Sequence, residues 1–131
     1  MGQRRPVSGK PYPDSARIVL ARKSGEGFRY SADSDKQLAQ VNQGALNYAA
    51  AISRDGRELF FTRVADMAHA EPVIMRAARS ASGQPFGTPQ PVAGISGHVE
   101  APSLSADGLT LYYHKRIGGR FLLYEIRRQR R

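Results

Sequence analysis

The pattern of apolar and polar positions occurs twice along the chain. The segment Ile52–Phe61, ISRDGRELFF, returns 52 residues later as Leu104–Tyr113, LSADGLTLYY. In each copy a run of small and apolar residues leads into an Asp-Gly pair, and an aromatic and aliphatic run follows it. A recurrence of this kind indicates one supersecondary unit that the chain uses twice.

Each copy predicts a β-hairpin, because Asp-Gly between two apolar runs is a strong hairpin signal. Glycine adopts the positive φ of such turns without steric cost, and aspartate and serine side chains bind turn amides. We therefore favour structural turn roles over metal ligation or acid catalysis for these residues. They are Ser53, Asp55 and Gly56 in the first copy, and Ser105, Asp107 and Gly108 in the second.

The second strand of each hairpin is apolar at consecutive positions, as in Leu59–Phe61. A strand with only one buried face alternates, whereas a strand between two layers does not have to. The sheets are therefore expected to be covered on both faces. The first strand is rich in alanine and serine, which suits a crowded place where backbones converge.

A third strand follows each hairpin. Pro72–Arg79 matches Phe121–Arg128 at an offset of 49 residues, and a turn-rich link and a short strand near 91–95 follow the first of them. Residues 46–96 are thus expected to form four antiparallel strands, and 97–131 three. Upstream, 17–22 and 36–41 are expected to hold the third and outer strands of a half unit over 16–45. Residues 1–15 are expected to be a flexible N-terminal segment.

Four-stranded antiparallel sheets that recur about every 40–50 residues are typical of β-propeller blades. The predicted fold is therefore all-β, a partial propeller of about two to two-and-a-half blades.

The repeat resembles that of the TolB-like, WD-repeat-like β-propeller family, which centres on Pro-x-x-Ser-x-Asp-Gly-x-x-Leu-x-Phe. Pro102–Tyr112 matches this phrase closely, and Arg79 and Arg128 stand where the family ends its third strand in arginine. The Gly83–Gly87 link is also similar. The resemblance is clear over 46–128, weaker over 17–41 and absent from the first fifteen residues.

The resemblance implies a fold and transfers no catalytic residue. Family members are mostly bacterial and often periplasmic or otherwise envelope-associated. They act as protein-binding platforms or as propeller parts of larger proteins, including peptidases. A cytoplasmic location also stays open, because the first sixteen residues show no apolar signal-peptide core.

A propeller needs about four to eight blades to close. An uncovered blade face of about 500 Å² would leave about 12 kcal/mol of apolar burial unrealised, which rivals the stability of a whole domain. We therefore expect a protein partner, a longer polypeptide or a homo-oligomer, such as a trimer, to complete the propeller. The remaining alternative is a small sandwich whose end faces the N-terminal segment covers.

The net charge of +9 is concentrated at the two ends of the chain. Residues 127–131 form the densest basic cluster, which favours either a solvated terminus or a polyanion-binding tail. No aromatic ladder accompanies it, so nucleic acid is not the expected partner. No apolar run is long enough to span a membrane, and the chain has no cysteine.

The chain shows no spacing that predicts catalysis, a metal site or a cofactor. The three histidines, His69, His98 and His114, are far apart, and Gly94–Gly97 is not a nucleophile elbow. Loops that enter the innermost strand of a propeller blade ring the central channel. We therefore predict a polar binding rim there, formed by Asn47, Tyr48, His98 and Glu100.

The sequence favours a non-catalytic β-propeller module that acts as a protein- or ligand-binding platform. One alternative is the propeller portion of a larger hydrolase whose catalytic domain lies elsewhere. Another is a polyanion binder that uses its basic termini.

Overall fold

The computed structural model describes residues 13–130, and strands account for 45% of them and helix for 6%. The all-β prediction is therefore confirmed. Most of the predicted N-terminal segment, residues 1–12, lies outside the described residues. The strands are β1 (Ala21–Ser24), β2 (Gly27–Tyr30), β3 (Leu46–Ile52), β4 (Glu58–Val64), β5 (Val73–Ala78), β6 (Gln90–Pro91), β7 (Val99–Leu104), β8 (Thr110–Ile117) and β9 (Arg120–Arg127); helix α1 is Ser34–Gln37, and a 3-10 helix covers Met67–His69.

The strands form three antiparallel sheets. Their orders are β1-β2, β3-β4-β5-β6 and β7-β8-β9. The second and third sheets share one register, because Phe60 pairs with Arg76 in the former and Tyr112 pairs with Glu125 in the latter. Equivalent residues of the two copies therefore lie on equivalent faces of their sheets.

Hydrogen bonds within the turns close the two hairpins in the same way. In the first turn the Asp55 carboxylate accepts from the Ser53 hydroxyl at 2.7 Å and from the Arg57 N–H at 3.0 Å. In the second, Asp107 accepts from Ser105 and from the Leu109 N–H at 2.6 and 3.0 Å. Both turns need a glycine after the aspartate, because φ is +74° at Gly56 and at Gly108.

An arginine at the end of each third strand ties its turn to the preceding layer. Arg79 donates to the Gly56 carbonyl at 2.7 Å and to the Gln37 side chain at 2.7 Å. Arg128 donates to the Gly108 carbonyl at 2.8 Å and reaches Glu58 of the preceding sheet at 2.6 Å. The same residue type thus links one layer to the next at two successive levels.

The core consists of two apolar clusters on opposite faces of the second sheet. Leu59, Phe61, Met75 and Ala77 face the N-terminal layer. Phe60 and Ile74, on the other face, pack against the third sheet. Consecutive side chains of a strand point to opposite faces, so a run such as Leu59–Phe61 serves both clusters.

The N-terminal layer differs from the predicted half unit. Instead of a third strand over 17–22 and an outer strand over 36–41, the chain forms the β1-β2 hairpin and helix α1. The prediction of an outer strand is wrong because Ser34, Gln37, Leu38 and Val41 are buried together at helical spacing. Asp35 and Lys36 also have low strand propensity.

Candidate functional site

A cavity of about 640 Å³ lies where β3 and β7, the first strands of the second and third sheets, begin. Its walls come from these strands, from the ends of β4 and β8, and from the loop between β4 and β5. Most of the lining is apolar, with four polar side chains among it. The lining residues are Pro13, Ala16, Leu46, Tyr48, Val64, Met67, Ala70, Pro72, His98, Glu100 and Arg116.

Two of the predicted rim residues meet in this cavity. The Tyr48 hydroxyl donates to the Glu100 carboxylate at 2.8 Å, and both side chains are half-buried. Burial, followed by the hydrogen bond to Glu100, raises the pKa of Tyr48 well above its ordinary value. The phenol therefore stays protonated at physiological pH and fixes the orientation of the carboxylate.

His98 lies on the same wall, and the structure adds Arg116 beside it. The His98 carbonyl accepts from the Arg116 N–H at 2.9 Å, so the loop before β7 is fixed to the end of β8. The His98 ring packs edge-on against Phe121, with ring centroids 5.9 Å apart. The half-buried imidazole and the exposed guanidinium bring two nitrogen donors to the cavity.

Asn47 does not line the cavity. Its side chain is buried, accepts from the Arg63 guanidinium at 2.9 Å and donates to the Gln43 carbonyl at 2.8 Å. Arg63 in turn donates to the Val41 carbonyl, and burial lowers the pKa of Arg63. Asn47 thus connects the second sheet to the N-terminal layer. Because consecutive strand residues face opposite ways, only one of Asn47 and Tyr48 can reach the cavity.

The residues directly after Tyr48 and Glu100 have a strained backbone. Ala49 and Ala101 have φ of +52° and +59°, and among the described residues they are the two non-glycines with positive φ. Each lies in a β-bulge of its strand, directly after Tyr48 or Glu100. Bulges redirect side chains, and backbone strain of this kind is concentrated at functional sites.

Replacing Ala101 by glycine should stabilise the protein. An L-residue in the left-handed region costs about 1–2 kcal/mol, and glycine relieves this strain. Part of the gain is offset, because glycine raises the conformational entropy of the unfolded chain. We expect Ala101→Gly to raise the free energy of unfolding by about 0.5–1 kcal/mol in urea titrations. Ala51→Gly, in the regular part of β3, is the control and should lower it by a similar amount. A loss of stability in Ala101→Gly would contradict this.

The apolar half of the cavity could not be predicted as part of the site. Met67, Ala70 and Pro72 belong to the loop between β4 and β5, and the Asp66 carboxylate holds this loop by accepting from the His69 N–H at 2.9 Å. The one sequence signal was that this loop is longer than the loop between β8 and β9. Length alone does not tell where a loop folds back.

Two of the three described arginines in the basic cluster near the C-terminus form ion pairs with carboxylates. Arg128 is bound to Glu58 and to the Gly108 carbonyl, and Arg127 contacts Glu125 at 3.2 Å. Arg131 lies outside the described residues. The position of Arg128 favours a structural role for the arginine over a contribution to a polyanion-binding tail.

The arrangement suits binding by shape and hydrogen bonding. Across residues 13–130, no three histidine, cysteine or acidic side chains lie close enough together to hold a metal ion. None of the helices over the same range is long and apolar enough to span a membrane. A largely apolar cavity with a few convergent polar groups is the usual form of a small-ligand site.

Comparison with known proteins adds no identity, because no protein-family model, curated protein or solved structure matches this chain.

Proposed function

We propose that the chain is a segment of a TolB-like β-propeller and acts as a non-catalytic platform that binds a ligand or a short stretch of a protein partner in the cavity. The observation that carries the proposal is the hydrogen bond between Tyr48 and Glu100 at the cavity wall. These two residues occupy the same position in the two copies of the repeat, 52 residues apart.

The contact between equivalent positions supports the propeller part of the proposal. In a radial arrangement the innermost strands of successive blades approach one another, whereas the outer strands diverge. Strands β3 and β7 meet at Tyr48 and Glu100, each directly before the bulge of its strand, while β6 and β9 lie at the outer sides of their sheets. The second and third sheets also pack face to face, and the strands within each pair in equivalent registers.

The chemistry of the cavity supports the binding part. Leu46, Val64 and Met67 offer an apolar wall, and the Glu100 carboxylate, held by Tyr48, accepts hydrogen bonds. Arg116 supplies a cation at the same cavity. Such a site favours an amphipathic occupant, with an apolar body and a polar end that meets both a donor and an acceptor.

Binding can be tested with a library of small aromatic amides, amines and carboxylates, by ¹⁵N chemical-shift mapping on the whole chain. We expect the largest shifts at Tyr48, Glu100 and Arg116. The double variant Tyr48→Phe with Glu100→Gln should weaken the best compound at least several-fold, because it removes the ordered acceptor.

Tyr30→Phe is the matched control, because Tyr30 is an exposed tyrosine on β2 and is not among the residues that line the cavity. It should leave the affinity unchanged. Shifts that concentrate outside the cavity, or equal affinity for the double variant, would contradict the proposed function.

A further inference from the structure

The third sheet has one face packed on the second sheet and one face exposed. Leu111 and Tyr113 are buried in the cluster between the two sheets. On the opposite face Tyr112, Phe121 and Leu123 are 38%, 48% and 68% exposed. We call this the open face and define it by Tyr112, His114, Phe121, Leu123 and Glu125, which the register of β8 and β9 places on one side.

The internal repeat shows that this is a packing face. Phe60, Thr62 and Ile74 of the second sheet occupy the positions equivalent to Tyr112, His114 and Leu123. They are only 3%, 0% and 1% exposed, because the third sheet covers them. The open face therefore has the geometry of a surface that is fully buried one layer earlier. Contiguous exposed apolar side chains of this kind mark interaction sites.

The open face is complementary to itself across its two strands. Tyr112 on β8 lies beside Glu125 on β9, and His114 lies beside Leu123. A two-fold axis parallel to the strands places β8 of one copy over β9 of the other. The phenol of Tyr112 then meets the carboxylate of Glu125 from the second copy, and His114 meets Leu123, at both symmetry-related positions.

We propose that the open face is an isologous dimer interface, with a second copy of this chain as its occupant. Two-fold dimers are the commonest soluble oligomers, and each contact is made twice, so moderate complementarity is amplified. The two-fold axis brings β8 and β9 of the two copies face to face, over a contact about 26 Å long and about 10 Å wide. This area is below that of a standard specific interface, so we expect a weak, concentration-dependent dimer. The inference does not rest on binding in the cavity, and a second copy here takes the place that the next blade of a propeller would occupy.

Sedimentation velocity on the whole chain, from 1 to 300 µM, tests the proposal. We expect a shift from the 14.4 kDa monomer to a dimer with no larger species. Leu123→Asp should weaken the dimer at least 30-fold, because it places two carboxylates at the centre of the interface. Leu123 is 68% exposed, so the variant should keep the circular dichroism spectrum and melting temperature of the wild type.

Phe28→Asp is the matched control, because Phe28 is 75% exposed but lies on the β1-β2 hairpin. The isologous dimer should survive this change. Dissociation by Phe28→Asp, or association beyond the dimer, would indicate head-to-tail assembly and overturn the proposal. A monomer throughout the concentration range would overturn it as well.

Cross-linking gives a second, independent readout, because the natural chain has no cysteine. A Tyr112→Cys chain mixed with a Glu125→Cys chain should form a disulfide-linked heterodimer under mild oxidation. Each variant alone should cross-link far less. Equal yields in the mixed and separate samples would exclude the proposed symmetry axis.

Discussion

Replacing Glu58 by glutamine should lower the free energy of unfolding by about 2 kcal/mol at pH 7. The Glu58 carboxylate is 19% exposed and accepts from Arg128 at 2.6 Å and from Arg76 at 2.7 Å. Hydrogen bonding to Arg128 lowers the pKa of Glu58 to about 2, with further help from Arg76 against the opposing effect of burial. Both guanidiniums are more than a third exposed, so solvent screening keeps the expected loss of stability below the full free energy of this pKa shift.

The same pair of arginines makes the stability pH-dependent in a defined range. Because the folded-state pKa of Glu58 lies below its ordinary value of 4.5, the contribution is complete above pH 4.5 and is lost as the pH falls towards 2. The wild type should therefore lose stability steeply over this range, and Glu58→Gln should lose less. Some pH dependence of the free energy of unfolding will remain in the variant, since hydrogen bonds also lower the pKa values of Asp55, Asp66 and Asp107.

Urea unfolding at several pH values between 2 and 7 measures both effects. Glu26→Gln removes the same charge from the exposed turn between β1 and β2 and serves as the control. It should follow the wild-type curve. If Glu58→Gln and wild type lose stability in parallel below pH 4.5, the ion cluster does not contribute as described.

The contact between Glu58 and Arg128 could not be predicted from the sequence. The two residues are 70 positions apart and belong to different sheets, so no local rule pairs them. Local rules did predict the hairpins, because the Asp-Gly turn chemistry is complete within six residues of sequence. The strand-ending arginines were visible as a repeated position, but their partners depend on how the layers stack.

In the N-terminal layer, the repeat pattern predicted the wrong elements. Residues 36–41 align with an outer strand, yet the buried spacing of Leu38 and Val41 is helical. The predicted third strand over 17–22 is correct only for 21–22, which begin β1, because the Ile18 and Leu20 N–H groups donate to the side chains of Asn42 and Ser34. Side-chain partners distant in sequence thus replaced the expected strand pairing.

The candidate site was predictable in part for a similar reason. Tyr48 and Glu100 are equivalent positions of a repeat, and a radial stack brings such positions together. The prediction of Asn47 as a rim residue was wrong, because Asn47 neighbours Tyr48 in the sequence but its side chain lies on the opposite face of β3. At the bulges, Ala49 and Ala101 have a positive φ that alanine rarely adopts, so the residue type at these two positions did not predict the conformation.

Removing the hydroxyl of Thr62 should destabilise the protein by about 1–3 kcal/mol. Thr62 is fully buried on β4, and its hydroxyl accepts from the Ala101 N–H at 3.0 Å. This amide lies in the bulge of β7, where the regular strand pairing is interrupted. Thr62→Val keeps the shape of the side chain but leaves the amide without its acceptor, and an unsatisfied buried donor carries that cost.

The substitution should also loosen the cavity, because Glu100 directly precedes the released amide. We expect faster hydrogen exchange at Ala101 and a smaller shift dispersion around Tyr48, together with the lower free energy of unfolding. Thr62→Ser keeps the acceptor and should preserve slow exchange, and Thr110→Val, on β8, controls for the chemical change. If Thr62→Val exchanges as slowly as wild type at Ala101, the second sheet does not hold the bulge. The Tyr48–Glu100 contact would then depend on β3 and β7 alone. In the structure, the hydrogen bond from the Ala101 N–H to Thr62 links the position of Glu100 to the packing between the two sheets.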